Sequence, residues 1–179
     1  MSKTAQPIRE LAALLQDSAA KPVIVPSRLA PSTIYDVEYR TAVIALVFDK
    51  FAKPFGPAGH RRISSPRLKL LQFITLRPWL LPAIREWGKG SEQGSLRLAH
   101  AIRIRRGFLS DTAHDDVINY LTACDIFFWQ ESHIVSAPNN KTLQNVLDGI
   151  RKNDLFAGES KVIEDLSNVK ITNEMLEGW

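Results

Sequence analysis

The sequence predicts a mainly α fold with a small β-hairpin, arranged as a winged-helix-like core with helical extensions at both ends. Apolar residues recur at helical spacing in several segments, and prolines or glycines separate those segments. One run, residues 126–137, is instead rich in β-forming side chains. Across residues 66–137 the predicted order is helix, helix, helix and hairpin, which is the order of a winged helix.

The N-terminal third is predicted to hold two helices joined by an extended linker. Residues 7–15 carry apolar side chains at helical spacing, which indicates a first helix. Three prolines within residues 21–32 exclude a regular helix there. A second helix is expected over residues 33–52, and the loop of residues 53–60 ends it.

The next helix has clear start and stop signals. Ser64 or Ser65 is suited to cap a helix whose first turn holds Pro66. This helix is expected over residues 67–77, because Pro78 disfavours helical geometry at the residue before it.

Three further helical segments complete the central region. A short helix or turn is expected over residues 79–87, and a longer helix over residues 96–106 that ends at Gly107. Asp111 is then predicted to cap a helix over residues 112–123.

The hairpin and a helical C-terminal part follow. Residues 126–129 and 133–137 are expected to form two strands, with a turn at residues 130–132. Asn139 or Asn140 is suited to cap a helix that runs to about residue 153, and the acidic amphipathic tail predicts further short helices. The domain prediction is a helical extension with a Pro-rich linker over residues 1–59, a core over residues 60–137 and a second extension over residues 138–179.

Composition indicates a soluble, cytoplasmic protein. The single cysteine, Cys124, excludes an internal disulfide and any multi-cysteine metal site. The first twenty residues are mixed in character, which is not typical of a signal peptide. The longest apolar run, residues 42–48, has seven residues, whereas a membrane-spanning helix needs about 20.

Charge is distributed unevenly along the chain. Residues 60–106 hold eleven bases and two acids, a net charge of +9, whereas residues 107–179 hold five bases and twelve acids, a net charge of −7. This asymmetry suggests that the middle of the chain meets a DNA backbone or an acidic partner. The alternative is that these basic residues form a solvent-exposed face that binds no partner. The candidate binding residues are Arg61, Arg62, Arg67, Lys69, Arg97, Arg103, Arg105 and Arg106.

Sequence-specific DNA reading is disfavoured. The helix of residues 112–123 would be the recognition helix, but it has no Lys or Arg and carries Asp115 and Asp116. Phosphates would repel such a helix. A winged helix that contacts protein fits the sequence better.

No constellation of residues predicts an enzyme, a cofactor or a metal site. The four histidines are scattered and lack ligand partners at zinc-helix spacing, and no phosphate-binding loop is present. One alternative stays open: Asp154 with Glu159, Ser160 and Lys161 imitates the acids and lysine of a small metal-dependent nuclease.

Three consecutive aromatic residues, Phe127, Phe128 and Trp129, form a candidate protein interface. In a strand, Phe128 faces the side opposite to its two neighbours, so both sheet faces need cover. The protein's own core takes one face. The other is expected to meet a partner or to lie under the helix of residues 139–153.

The chain resembles the small middle subunits of three-component bacterial defence systems built around an SMC- or Rad50-like ATPase, including the Lamassu type. The resemblance rests on residues 39–46, on residues 67–73 running into residues 77–82, and on residues 107–110. It implies a non-catalytic adaptor that bridges a DNA-clamping ATPase and an effector subunit, often a nuclease, against phage or plasmids. A stand-alone winged-helix regulator is the alternative, and a small nuclease the third reading.

Overall fold

The computed structural model describes residues 36–88 and 94–177. The helix predicted over residues 7–15 and the linker of residues 21–32 lie outside the described residues. Within them the chain is mainly helical with a small sheet, which confirms the predicted fold class. The helices are α1 Val37–Phe51, α2 Ser65–Thr75, α3 Leu81–Gly88, α4 Gly94–Leu109, α5 Thr112–Ala123, α6 Lys141–Asn153, α7 Ala157–Ser167 and α8 Asn173–Glu177.

The sheet has four antiparallel strands where the sequence predicted two. These are β1 Lys53–Phe55, β2 His60–Ser64, β3 Phe128–Gln130 and β4 His133–Ser136, in the order β1-β2-β4-β3. The β3–β4 hairpin lies at the predicted place in the chain, with its first strand at Phe128–Gln130 where residues 126–129 were predicted. The prediction of a loop over residues 53–60 is wrong, because Gly56 and Gly59, with φ of 70° and 71°, close a turn between β1 and β2.

The strand order supports a winged-helix-like core. Strand β2 leads directly into α2, α5 leads into the β3–β4 hairpin, and β2 pairs with β4. Helices α3 and α4 are inserted in the chain between α2 and α5. The inner side of the sheet packs on the helices through Ile63 and Ile134, which are 4% and 0% exposed.

The described part of the chain shares one hydrophobic cluster. Phe48 of α1, Leu71 of α2, Ile118 of α5, Leu147 of α6 and Leu166 of α7 all belong to it. The cluster therefore draws residues from both sides of the predicted boundaries at 59/60 and 137/138. Because burial of apolar surface is the dominant favourable contribution to folding, these segments stabilise one another.

Gly107 was predicted to end a helix, and this prediction is wrong. Helix α4 continues through it to Leu109. A Cβ at position 107 would lie 2.5 Å from a ring carbon of Phe73. The glycine therefore lets α4 approach α2 closely, which is a packing requirement that resembles a stop signal in the sequence.

Two of the predicted caps behave differently from each other. The Asn140 side chain accepts a hydrogen bond from the backbone N–H of Leu143 at 3.0 Å and so caps α6 as predicted. Ser64 stands at the N-cap position of α2, but its side chain makes no capping hydrogen bond. Pro66 accounts for one of the donors that this cap would otherwise satisfy.

Candidate functional site

The predicted basic residues are divided among β2, α2 and α4, and Arg61 is used inside the protein. Its Nη1 donates to Asp49 at 2.9 Å, and its Nη2 donates to the carbonyls of Asp49 and Ala52. Asp49 also accepts a hydrogen bond from Arg151 at 2.7 Å. Arg61 thus satisfies carbonyl groups at the C-terminal end of α1 and ties that end to the sheet.

The two candidates on α2 have different surroundings. Lys69 forms an ion pair with Asp115 of α5 at 2.7 Å, and its side chain is only 12% exposed. The acid that opposes DNA binding on α5 is therefore partly neutralised from within the protein. Arg67 is half-buried and has no ion pair with another described residue.

The remaining candidates are on α4, which packs against α3 and α2. Arg103 and Arg106 are exposed and Arg105 is half-buried. The side chain of Arg97 lies outside the described part of the chain. The three described arginines stand on a helix, whereas Arg62 stands on a strand of the sheet.

Arg62 points to the side of the sheet opposite to Arg61, because consecutive residues of a strand alternate between faces. Lys53, Arg62, Val135 and Phe128 stand opposite one another on adjacent strands, so they share one face. The inner face carries Ile63 and Ile134. We call the other side the outer face and define it by Lys53, Phe55, His60, Arg62 and Phe128.

Ring contacts organise the outer face. The guanidinium of Arg62 lies 3.8 Å from the ring centroid of Phe55. The rings of His60 and Phe128 meet edge to face, with centroids 5.7 Å apart and planes at 85°. Val135, only 1% exposed, belongs to this face, outside the main hydrophobic cluster. The outer face therefore has a small packed layer of its own.

The predicted aromatic triplet is split by the structure. Phe127 is 2% exposed and packs against Phe48, with ring centroids 4.7 Å apart. Phe128 and Trp129 are 42% and 46% exposed and stand on opposite faces of β3. Strand β3 lies at one edge of the sheet, and no other described strand pairs with its free side. Phe127 is thus a core residue, and the other two are accessible.

A buried polar network joins α1, α2 and α5. Arg40, which is 0% exposed, lies 3.1 Å from both carboxylate oxygens of Asp111. Asp111 occupies the N-cap position of α5, but its side chain makes no capping hydrogen bond. Asp111, which was predicted to cap the helix, is instead the ion-pair partner of Arg40, because a buried guanidinium needs a counter-charge.

His114 and Gln72 form a second buried polar pair, and Asp111 and Arg40 act electrostatically on its imidazole. They hydrogen bond through the Nδ1 of His114 and the Oε1 of Gln72, and both side chains are buried. Burial lowers the pKa of His114 to about 4, because the charged imidazolium is poorly solvated there. The histidine is therefore neutral at physiological pH, and its position inside the helical core makes it a structural residue.

Glu159 of the nuclease-like fragment is hydrogen bonded to a residue of α1. The Tyr39 hydroxyl donates to Glu159 at 2.5 Å, and the Tyr39 ring stacks on Phe156. Burial raises the pKa of Tyr39, and the neighbouring Glu159 adds to this effect. Asp154 ends α6 with a left-handed φ of 49°. Among the described residues, no three His, Cys, Asp or Glu side chains are grouped to hold a metal ion.

Sequence reasoning missed the contribution of Lys53, Phe55 and His60 to the outer face. The sequence predicted a loop over residues 53–60, and a loop, unlike a strand, does not place alternate side chains on one face. The signal was present in Gly56 and Gly59, which stand on either side of Pro57 and Ala58 and fit a tight turn between two short strands.

No helix in the described ranges combines the length and the apolar character that crossing a membrane requires. Comparisons of the chain with protein-family models, with curated proteins and with solved structures find no match.

Proposed function

We propose that the chain is a non-catalytic adaptor subunit that docks on a partner protein through the free edge of β3. The observation that carries this proposal is the pair of exposed aromatic residues, Phe128 and Trp129, on an edge strand whose free side pairs with no other described strand. A free edge offers main-chain donors and acceptors to an extended segment of a partner. Tryptophan is the residue type most enriched among the side chains that dominate interface energies.

The acidic surface of α5 favours an adaptor over a stand-alone DNA-binding regulator. Asp115 and Asp116 are both exposed at the helix that would enter the major groove. Lys69 pairs with Asp115, but no base on α5 offsets Asp116. A regulator would need this helix to approach phosphates, and its charge opposes that.

The partner we propose is an SMC- or Rad50-like ATPase, together with an effector subunit, in bacterial defence against phage or plasmids. The resemblance of residues 39–46, of residues 67–73 with 77–82, and of residues 107–110 to the middle subunits of such systems supports this assignment. We place the complex in the cytoplasm, in keeping with a chain that has one cysteine and with a proposed partner that clamps DNA.

Co-expression with the products of the neighbouring genes, followed by affinity purification and size exclusion, tests the proposal. A stable complex with a large ATPase is expected. Trp129→Ala should weaken it by about 30-fold or more, the usual effect of losing a central aromatic contact. Trp79→Ala is the matched control, because Trp79 is 66% exposed on the short helix Pro78–Leu80, away from β3.

Two results would contradict the proposal. One is a chain that elutes alone as a monomer or homodimer and binds duplex DNA, which would favour the regulator. The other is a complex that Trp129→Ala and Trp79→Ala weaken equally.

A further inference from the structure

We propose that the outer face of the sheet binds single-stranded nucleic acid. This inference goes beyond the proposed adaptor function and does not depend on it. The two share Phe128, but the cations used here, Lys53 and Arg62, lie on β1 and β2, and Trp129 stands on the opposite side of β3. It rests on two features of the outer face: its charge and its exposed ring.

The outer face carries positive charge and no acid at its strand positions. Its cations are Lys53 and Arg62, and none of the other outward positions of the four strands is Asp or Glu. Glu131 lies outside the strands, in the turn of the β3–β4 hairpin. A polyanion can therefore lie across the strands without meeting a carboxylate on the face itself.

Arg62 is available for an external anion, unlike Arg61. Arg61 is occupied by Asp49 and by main-chain carbonyls, whereas no described carboxylate pairs with Arg62. The stacking of Arg62 on Phe55 fixes the guanidinium plane. Its N–H groups lie at the rim of that plane, where two of them can bind one phosphate.

Phe128 supplies a surface on which a base can stack. Its ring is 42% exposed and is held edge to face by His60. Lys53, Arg62, Val135 and Phe128 stand in register on adjacent strands spaced about 4.8 Å apart, so Lys53 and Phe128 are on the order of 14 Å apart. Cations that follow a backbone beside an aromatic ring are the features by which single strands are bound.

The same features favour a single strand over the two other polyanions. The bases of a duplex are stacked on one another and cannot stack on Phe128. An acidic peptide matches the charge but brings no flat ring to Phe128. The occupant that uses both the charge and the ring is a single-stranded nucleic acid.

Fluorescence anisotropy with the full chain and a labelled oligo(dT) of about 15 nucleotides tests this inference. Binding is expected at low salt and should weaken as salt is raised from about 50 to 200 mM. A duplex of the same length and a polyglutamate peptide of similar charge should compete at least about 10-fold less well than unlabelled oligo(dT).

Two pairs of variants locate the site. Lys53→Gln with Arg62→Gln should weaken binding by about 10-fold or more and should reduce the slope of log K against log salt by about 1.4. Arg103→Gln with Arg106→Gln removes the same charge from exposed positions on α4 and should change binding by less than about 2-fold. Phe128→Ala should weaken binding by about 10-fold, whereas Trp79→Ala should have no effect.

Three results would overturn the inference. Equal or tighter binding of polyglutamate would identify the ligand as an acidic protein segment. An equal or larger loss with the α4 pair would place the site on the helix. No binding of oligo(dT) at low salt would exclude the site, and a co-purified ATPase would still support the adaptor function.

Discussion

Two arginines, Arg40 in the helical core and Arg62 on the sheet, have different surroundings and different roles. Arg40 is fully buried and lies 3.1 Å from both oxygens of Asp111. Arg62 is half-buried, stacks on Phe55 and has no described carboxylate partner. The comparison teaches that an arginine buried in the helical core is paired to hold the fold together, whereas Arg62 on the outer face keeps its charge free of any described carboxylate.

The largest expected effect is the loss of the buried ion pair. Arg40→Ala leaves the carboxylate of Asp111 buried without its counter-charge, so the free energy of unfolding should fall by about 3–5 kcal/mol. Urea denaturation followed by circular dichroism measures it. The double variant Arg40→Met with Asp111→Leu should recover most of the loss, because apolar residues carry no desolvation penalty. A loss below about 1 kcal/mol for Arg40→Ala would show that the pair does not stabilise the core.

The second effect is a pH dependence from His114. Its pKa is about 4 in the folded protein and about 6.5 in the unfolded chain, so the unfolded state takes up a proton first as pH falls. The stabilisation by His114 is complete above about pH 6.5 and is lost progressively down to about pH 4. Lowering the pH from about 7 to 5 should therefore cost about 2 kcal/mol.

Urea denaturation of the wild type and of His114→Gln at the two pH values measures this contribution by difference. Lys69, Asp111, Asp115 and Arg40 surround the imidazole and remain in both proteins. The variant should lose about 2 kcal/mol less than the wild type over this range. Identical losses would mean that His114 is not held neutral by burial.

The third effect concerns the support of the hairpin. Asn140 caps α6, and its side-chain amide also donates to the carbonyls of Asp125 and Ile126 at 3.1 and 2.9 Å. Asn140→Ala should lower the free energy of unfolding by about 1–2 kcal/mol. Asn139→Ala is the matched control, because Asn139 is exposed, and it should change stability by less than about 0.5 kcal/mol. Equal losses in the two variants would contradict the role of Asn140.

The smallest effect is expected on the outer face. Arg62→Gln removes a cation–π contact and no ion pair, so it should cost less than about 1 kcal/mol. Thermal denaturation beside Arg40→Ala measures the contrast between the two arginines. A cost of about 3 kcal/mol or more for Arg62→Gln would make it a structural residue and would end the comparison.

Local patterns in the sequence predicted what local contacts determine. The α5 helix, the β3–β4 hairpin and the Asn140 cap depend on neighbours in sequence, and all three were found where expected. The sequence also predicted that the protein's own core would cover one side of the aromatic triplet. Phe127 is the residue that lies in the core.

Features that depend on distant pairing were not predictable. Asp111 has the residue type and position of a cap, and only its approach to Arg40, 71 residues away, shows its other role. Arg61 and Arg62 point to opposite faces of the sheet and have different partners. This difference follows from the pairing of β2 with β4, which joins residues far apart in the chain. Gly107 resembles a helix stop because the close contact with Phe73 is invisible in the sequence.

Hydrogen–deuterium exchange on the co-purified complex tests most directly the claim that the sheet end of the molecule binds partners while the helical core only supports it. Exchange should slow on complex formation at β3 and in the β3–β4 hairpin, and should stay unchanged in α1, α2 and α5. Slower exchange confined to α4 or α5, with β3 unaffected, would contradict the account and would place the interface on the helices.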